Sequence, residues 1–98
     1  MAEPIANANI RWLEEAEGGR RSPPPGPQYA ATALFDSAPE LSIVIWFGEG
    51  TASTTDSRPA EIGFLAPELL ADALAPGQRF LVREGSRTVA EGVVTAVG

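Results

Sequence analysis

Residues 79–94 read "RFLVREGSRTVAEGVV", and this stretch decides how the chain folds. Two runs of β-forming residues flank Gly85-Ser86, and a two-residue loop with glycine at its first central position suits a type II′ hairpin turn. The closing hairpin is therefore expected over "QRFLVRE" (78–84) and "TVAEGVVTAV" (88–97). An unbroken register sets Glu84 opposite Arg87 and Val82 opposite Val89. It also puts Glu91 on the face of Phe80, Val82 and Val89, where a carboxylate is costly to bury. A bulge, or a position at a barrel rim, would release Glu91 to solvent.

Working outward, "PIANANIRWL" (4–13) alternates Ala6, Ala8, Ile10 and Trp12 against Asn7, Asn9 and Arg11, the period of a half-buried strand. "EEAEGGRRSPPPGPQ" (14–28) follows, too rich in glycine and proline to continue a strand or helix, and reads as a stiffened loop. "QYAATALFD" (28–36) and "LSIVIWFGE" (41–49) read as two paired strands around the turn-forming "DSAPE". Trp46 and Phe47 then point to opposite faces. The polar run "GEGTASTTDSRP" (48–59) is expected to be the most mobile segment. In "EIGFLAPELLADALAPG" (61–77), Ile62 and Phe64 share a strand face, and the segment from Pro67 favours a short helical turn over a continued strand. Six strands with short connections predict one all-β domain spanning residues 1–98, a small antiparallel barrel or sandwich.

The ninety-eight residues contain no histidine, no cysteine and no lysine, and all seven basic residues are arginine. That composition excludes a Ser-His-Asp triad, a Cys-His pair, a Ser-Lys dyad, a Schiff base, a thiolate or imidazole metal site and a phosphate-loop lysine. A carboxylate dyad survives the exclusion, but no spacing points to one. The expectation is a protein that is not an enzyme and takes no cofactor or nucleotide. Thirteen acidic residues give a net charge of −6, the reverse of a general nucleic-acid binder's footprint. No run approaches the ~18–20 apolar residues of a membrane helix, and the first twenty residues lack a signal peptide's basic start and apolar stretch. A soluble, cytoplasmic protein is expected.

The segment "ALAPGQRFLVREGSRTVAEGVVTAVG" (73–98) resembles the end of the third domain of bacterial elongation factor Tu, whose pattern is Gly-x-Arg-Phe, then Arg-Glu-Gly-Gly-Arg-Thr-Val and Gly-Val-Val. In order and at compatible spacing, "EGGRRSP" (17–23) resembles that domain's Glu-Gly-Gly-Arg-His-Thr-Pro loop. "PQY" (27–29) resembles its Pro-Gln-Phe strand start, and "RPAEI" (58–62) its Pro-Gly-Asp-Asn-Ile step. The resemblance implies a six-stranded antiparallel β-barrel, and the expectation is a free-standing copy of that domain without the family's GTPase domain.

The family's third domain helps to hold the T-stem of aminoacyl-tRNA and packs on its own GTPase domain. By matching position, Arg20 and Gln28 stand where the family approaches the tRNA backbone, and Glu84 with Gly85 at the turn that meets the T-stem. Arg21 stands where the family has histidine, and Arg87 completes the candidate set. The resemblance thus implies a translation-linked binding module whose partner is tRNA or a protein of the translation machinery. Read from residues alone, Gly85 is what the turn needs and the flanking charges are a solvated tip, as on any protein-binding or structural barrel.

Overall fold

The computed structural model describes residues 3–36, 40–70 and 74–98. Six strands carry the fold: β1 Ala6–Trp12, β2 Gln28–Phe35, β3 Leu41–Trp46, β4 Arg58–Phe64, β5 Arg79–Glu84 and β6 Arg87–Val97. They pair antiparallel in the order β1-β4-β3-β2-β5-β6, and β6 pairs back onto β1 to close a barrel. Closure gives each strand two neighbours and removes the free edges a sandwich would leave. The all-β expectation is met, and of the two architectures the chain adopts the barrel.

The alternation in β1 works as read: Ala6, Ala8, Ile10 and Trp12 face the interior, while Asn7 and Asn9 are exposed. β3 ends at Trp46, short of the 49 expected. There the chain leaves the sheet as the Phe47 N–H donates to Pro27 O at 2.8 Å and the Thr51 N–H to Gly48 O at 3.1 Å. Trp46 and Phe47 do take opposite faces, with Phe47 packed against the core and its ring 5.9 Å from Trp12. Pro59 is tolerated in β4 because pairing with β3 begins only at Glu61, so its missing N–H costs no ladder bond on that side.

The register across the closing hairpin corrects the unbroken one. Val82 pairs with Ala90, not Val89, and Arg83 pairs with Thr88, so Val89 is the extra residue of a bulge. Val89 and Ala90 are both fully buried, and Glu91 is turned outward, where it accepts a hydrogen bond from Arg11 Nη2 at 2.7 Å. The physical reason is the one anticipated for Glu91: an inward carboxylate would be desolvated without a partner. A second register shift between Asn7 and Ala8 leaves Thr95 as an extra residue on β6. Two bulges let this long strand coil between β5 and β1, as a closed barrel of few strands requires.

At one end of the interior Phe35 stacks on Phe80 with centroids 5.1 Å apart, and Phe64 lies 6.0 Å from Phe35. Gly92 pairs with Phe80, and a Cβ at that position would come within 2.3 Å of the ring's Cζ. The glycine gives the ring its space, and the ring covers the glycine's bare backbone.

The loop of residues 14–27 contains one 3-10 turn, Glu15–Glu17, closed by the Glu14 N–H donating to Glu17 Oε1 at 3.0 Å. The polar run expected to be most mobile is tied to β1: the Trp12 N–H donates to Ser53 O at 2.9 Å, and Arg11 Nη1 to Thr54 O at 3.1 Å. After β4, Pro67–Leu69 forms a 3-10 turn with Pro67 at its start and Leu70 buried behind it, so the chain turns here instead of extending the strand. The rest of that expected turn, at 71–73, and the centre of "DSAPE", at 37–39, lie outside the described residues.

A candidate binding surface at the hairpin tip

The β5–β6 turn forms where the sequence placed it. Glu84 pairs with Arg87, and between them Gly85 has φ +64° with nothing within 4 Å of where a Cβ would sit. Only the backbone conformation demands glycine there. Arg83 braces the turn by donating from Nη2 to Ser86 O at 3.0 Å, and its Nη1 lies 3.7 Å from Glu40.

The loop after β1 comes over this tip. Arg20 Nη1 donates to Glu84 Oε2 at 3.0 Å and reaches Tyr29 Oη at 3.5 Å, while its Nε donates to Ser22 O at 3.2 Å. The Tyr29 hydroxyl donates a short hydrogen bond to the same Glu84 oxygen. The guanidinium also lies over the phenol ring, 5.3 Å from its centroid, and that ring stands edge-on to buried Trp12 at 5.1 Å. The 14–27 loop, the start of β2 and the hairpin are thus locked together by one arginine, one tyrosine and one glutamate.

Each group alters the others. The Tyr29 hydroxyl bond, with Arg20 and Arg87 in support and burial opposing, holds the Glu84 carboxyl below the usual carboxylate value. Burial and the neighbouring Glu84 push the Tyr29 phenol up, against a smaller opposing effect of Arg20. Burial works against the Arg20 charge, but Tyr29 and Glu84 outweigh it and hold the guanidinium above its ordinary value.

Among the candidate residues, Arg20 and Glu84 are in contact, Gly85 forms the exposed apex, and Arg87 faces Glu84 across the strand pair. Arg21 is separate: its side chain is 92% exposed and stands 3.8 Å from Glu15. Gln28 is exposed at the start of β2, opposite Trp46, and makes no side-chain hydrogen bond among the described residues. Tyr29 is the member that sequence reasoning missed. The signal was present, since "PQY" carries a hydroxyl where the pattern it resembles has phenylalanine, and a part-buried tyrosine seeks a partner for that hydroxyl.

A second polar cluster lies outside the candidate set. Arg11 donates to both carboxylate oxygens of Glu17 at 3.2 Å and to Glu91 at 2.7 Å, joining β1, the 3-10 turn and β6. Both terminal nitrogens of Arg11 are engaged by these carboxylates, as suits a staple between the three elements. Among the described residues no helix is long and apolar enough to cross a membrane.

The fold and this surface define a small closed antiparallel β-barrel with a charged, hydrogen-bonded hairpin tip. Compared with known protein families, the chain matches none.

Proposed function

We propose that the chain is a non-enzymatic, translation-linked binding module of the cytoplasm, a counterpart of the third domain of elongation factor Tu that meets tRNA or a protein of the translation machinery through its hairpin tip. The observation that supports this is the contact between the two stretches with the clearest resemblance, "EGGRRSP" and "REGSRT", through Arg20 and Glu84 at 3.0 Å. A recognition surface needs side chains held in place, and Tyr29 and Ser22 fix the Arg20 fork. Arg87 stands exposed across from Glu84, and Arg21, set apart near Glu15, is a second exposed cation on the same loop as Arg20 for an anionic partner.

One observation favours a second reading, a protein-interaction or structural barrel with no RNA binding. The net charge is −6, and Arg20 is already neutralised by Glu84, which leaves little counterion-release affinity for RNA. Titration of the protein with labelled tRNA separates the two readings. The tRNA reading expects saturable binding that weakens steeply between about 50 and about 200 mM salt, with Arg21→Ala or Arg87→Ala lowering the log-log slope by roughly 0.9 each. Absence of binding at the lower salt would leave the protein-partner reading. Equilibrium dialysis against GTP is expected to show no saturable uptake under either.

A further inference from the structure

The outer face of β3 and β4 carries a feature that the hairpin reading does not use. Trp46 ends β3 opposite Glu61 of β4, with its indole Cζ3 close to Gly63. A Cβ on Gly63 would come within 2.2 Å of the Glu3 carbonyl oxygen and 3.0 Å of the indole Cζ3, so glycine leaves room there for the Glu3 backbone and for the edge of the ring. Of the two tryptophans, Trp12 is sealed inside the barrel, whereas Trp46 is half-buried and lines an open groove of about 400 Å³. Pro27 and Pro59 wall this groove, and Asn7 and Glu61 supply its polar edge.

Trp46 contributes an aromatic surface, the prolines offer no N–H, Glu61 brings oxygen acceptors only, and the Asn7 carboxamide brings both a donor and an acceptor. No basic residue lines the groove; Arg58, adjacent to Pro59, is paired with Asp56 at 3.5 Å. Among the described residues Glu61 has no ion-pair partner. An indole and a carboxylate without an ion-pair partner, cross-strand neighbours lining one groove on a chain of net charge −6, complement a planar cation. A guanidinium can stack on the ring while its edge donates to the carboxylate, a combination that a lysine ammonium matches less well. A phosphate would meet Glu61 with no cation in the groove to offset the repulsion.

We propose that this groove docks an arginine side chain from a basic segment of a partner protein, its guanidinium stacked on Trp46 and paired with Glu61. The proposal does not rest on the reading of the hairpin tip, because none of the groove's residues belongs to the Arg20–Tyr29–Glu84 cluster.

Labelled hexa-arginine, titrated into the full chain and followed by anisotropy, with tryptophan emission recorded in parallel, tests it. The expected result is saturable binding that quenches emission, at least severalfold tighter than for hexa-lysine. Trp46→Ala should weaken binding about tenfold and Trp46→Phe less, in keeping with the weaker π face of phenylalanine. Glu61→Gln should weaken it severalfold, and Glu68→Gln, the same charge change outside the groove, less than about twofold. Circular dichroism and thermal midpoints confirm that each variant is folded, and Trp46→Phe carries the test if Trp46→Ala is not. Equal losses for Glu61→Gln and Glu68→Gln, equal affinity for the two peptides, or binding indifferent to Trp46 would overturn the proposal in favour of diffuse charge attraction. Tighter binding of an RNA oligonucleotide or of hexa-glutamate to the groove would overturn it as well.

Discussion

Arg20 and Glu84 stand 64 positions apart in the chain and meet at 3.0 Å, with the Tyr29 hydroxyl donating to the same carboxylate oxygen. This contact pins the irregular loop after β1 to the β5–β6 turn. It is part-exposed, so its net worth to stability is expected to be below about 1 kcal/mol, and its larger effect is on the shape of the tip.

Tyr29 is the chain's one tyrosine, so phenolate absorbance reports it alone. Burial first and Glu84 second raise its ionisation above the ordinary value near ~10. Glu84→Gln is expected to bring the titration down toward that value without reaching it, because burial remains. An unchanged titration would mean that the hydroxyl and carboxylate are not joined in solution. In the native protein, a raised phenol ionisation means that stability is intact below ~10 and declines as pH rises through the folded value.

Acid should act through two carboxylates. Glu84 is held low chiefly by Tyr29, and Glu17 chiefly by Arg11 with help from the Glu14 N–H. A depressed folded ionisation contributes stability above the unfolded value, near ~4.3, and that contribution is lost as pH falls through the folded value. Urea midpoints are expected to drop as pH is lowered from about 5 toward about 2, and to drop less steeply in the Glu17→Gln, Glu84→Gln double variant. Parallel curves for the two proteins would show that neither pair is linked to folding.

Gly92→Ala is expected to destabilise by about 1–3 kcal/mol, since the added methyl would meet the Phe80 ring at 2.3 Å inside a packed barrel. Combining it with Phe80→Leu should give less than the sum of the two losses, because the smaller side chain vacates the contested space. Strict additivity in a double-mutant cycle by urea unfolding would count against that contact.

Gly85 separates backbone demand from crowding, because its φ is +64° and the space around it is open. Gly85→Asn should cost less than Gly85→Val, which should cost more than ~1 kcal/mol. Equal costs for the two would indicate that the turn relaxes to another conformation when glycine is lost.

Much of the barrel was legible in the sequence because strand alternation and turn chemistry are local properties. Ala6, Ala8, Ile10 and Trp12 declare the inner face of β1, and Gly85-Ser86 declares the last turn, without reference to any other part of the chain. The absence of histidine, cysteine and lysine likewise bounds the chemistry by composition alone. What only the tertiary structure decided is what depends on neighbours far away in the chain. Val89 bulges because Glu91 must leave the interior while β6 stays paired to both β5 and β1, a constraint that the hairpin by itself does not contain. Glu84 turns to Arg20 and Tyr29, although Arg87 is its cross-strand partner, because the loop after β1 folds over the tip and offers a part-buried hydroxyl and guanidinium. Periodicity tells each residue which face it takes; closure of the barrel determines which residues from remote segments share that face, and so which charges find one another.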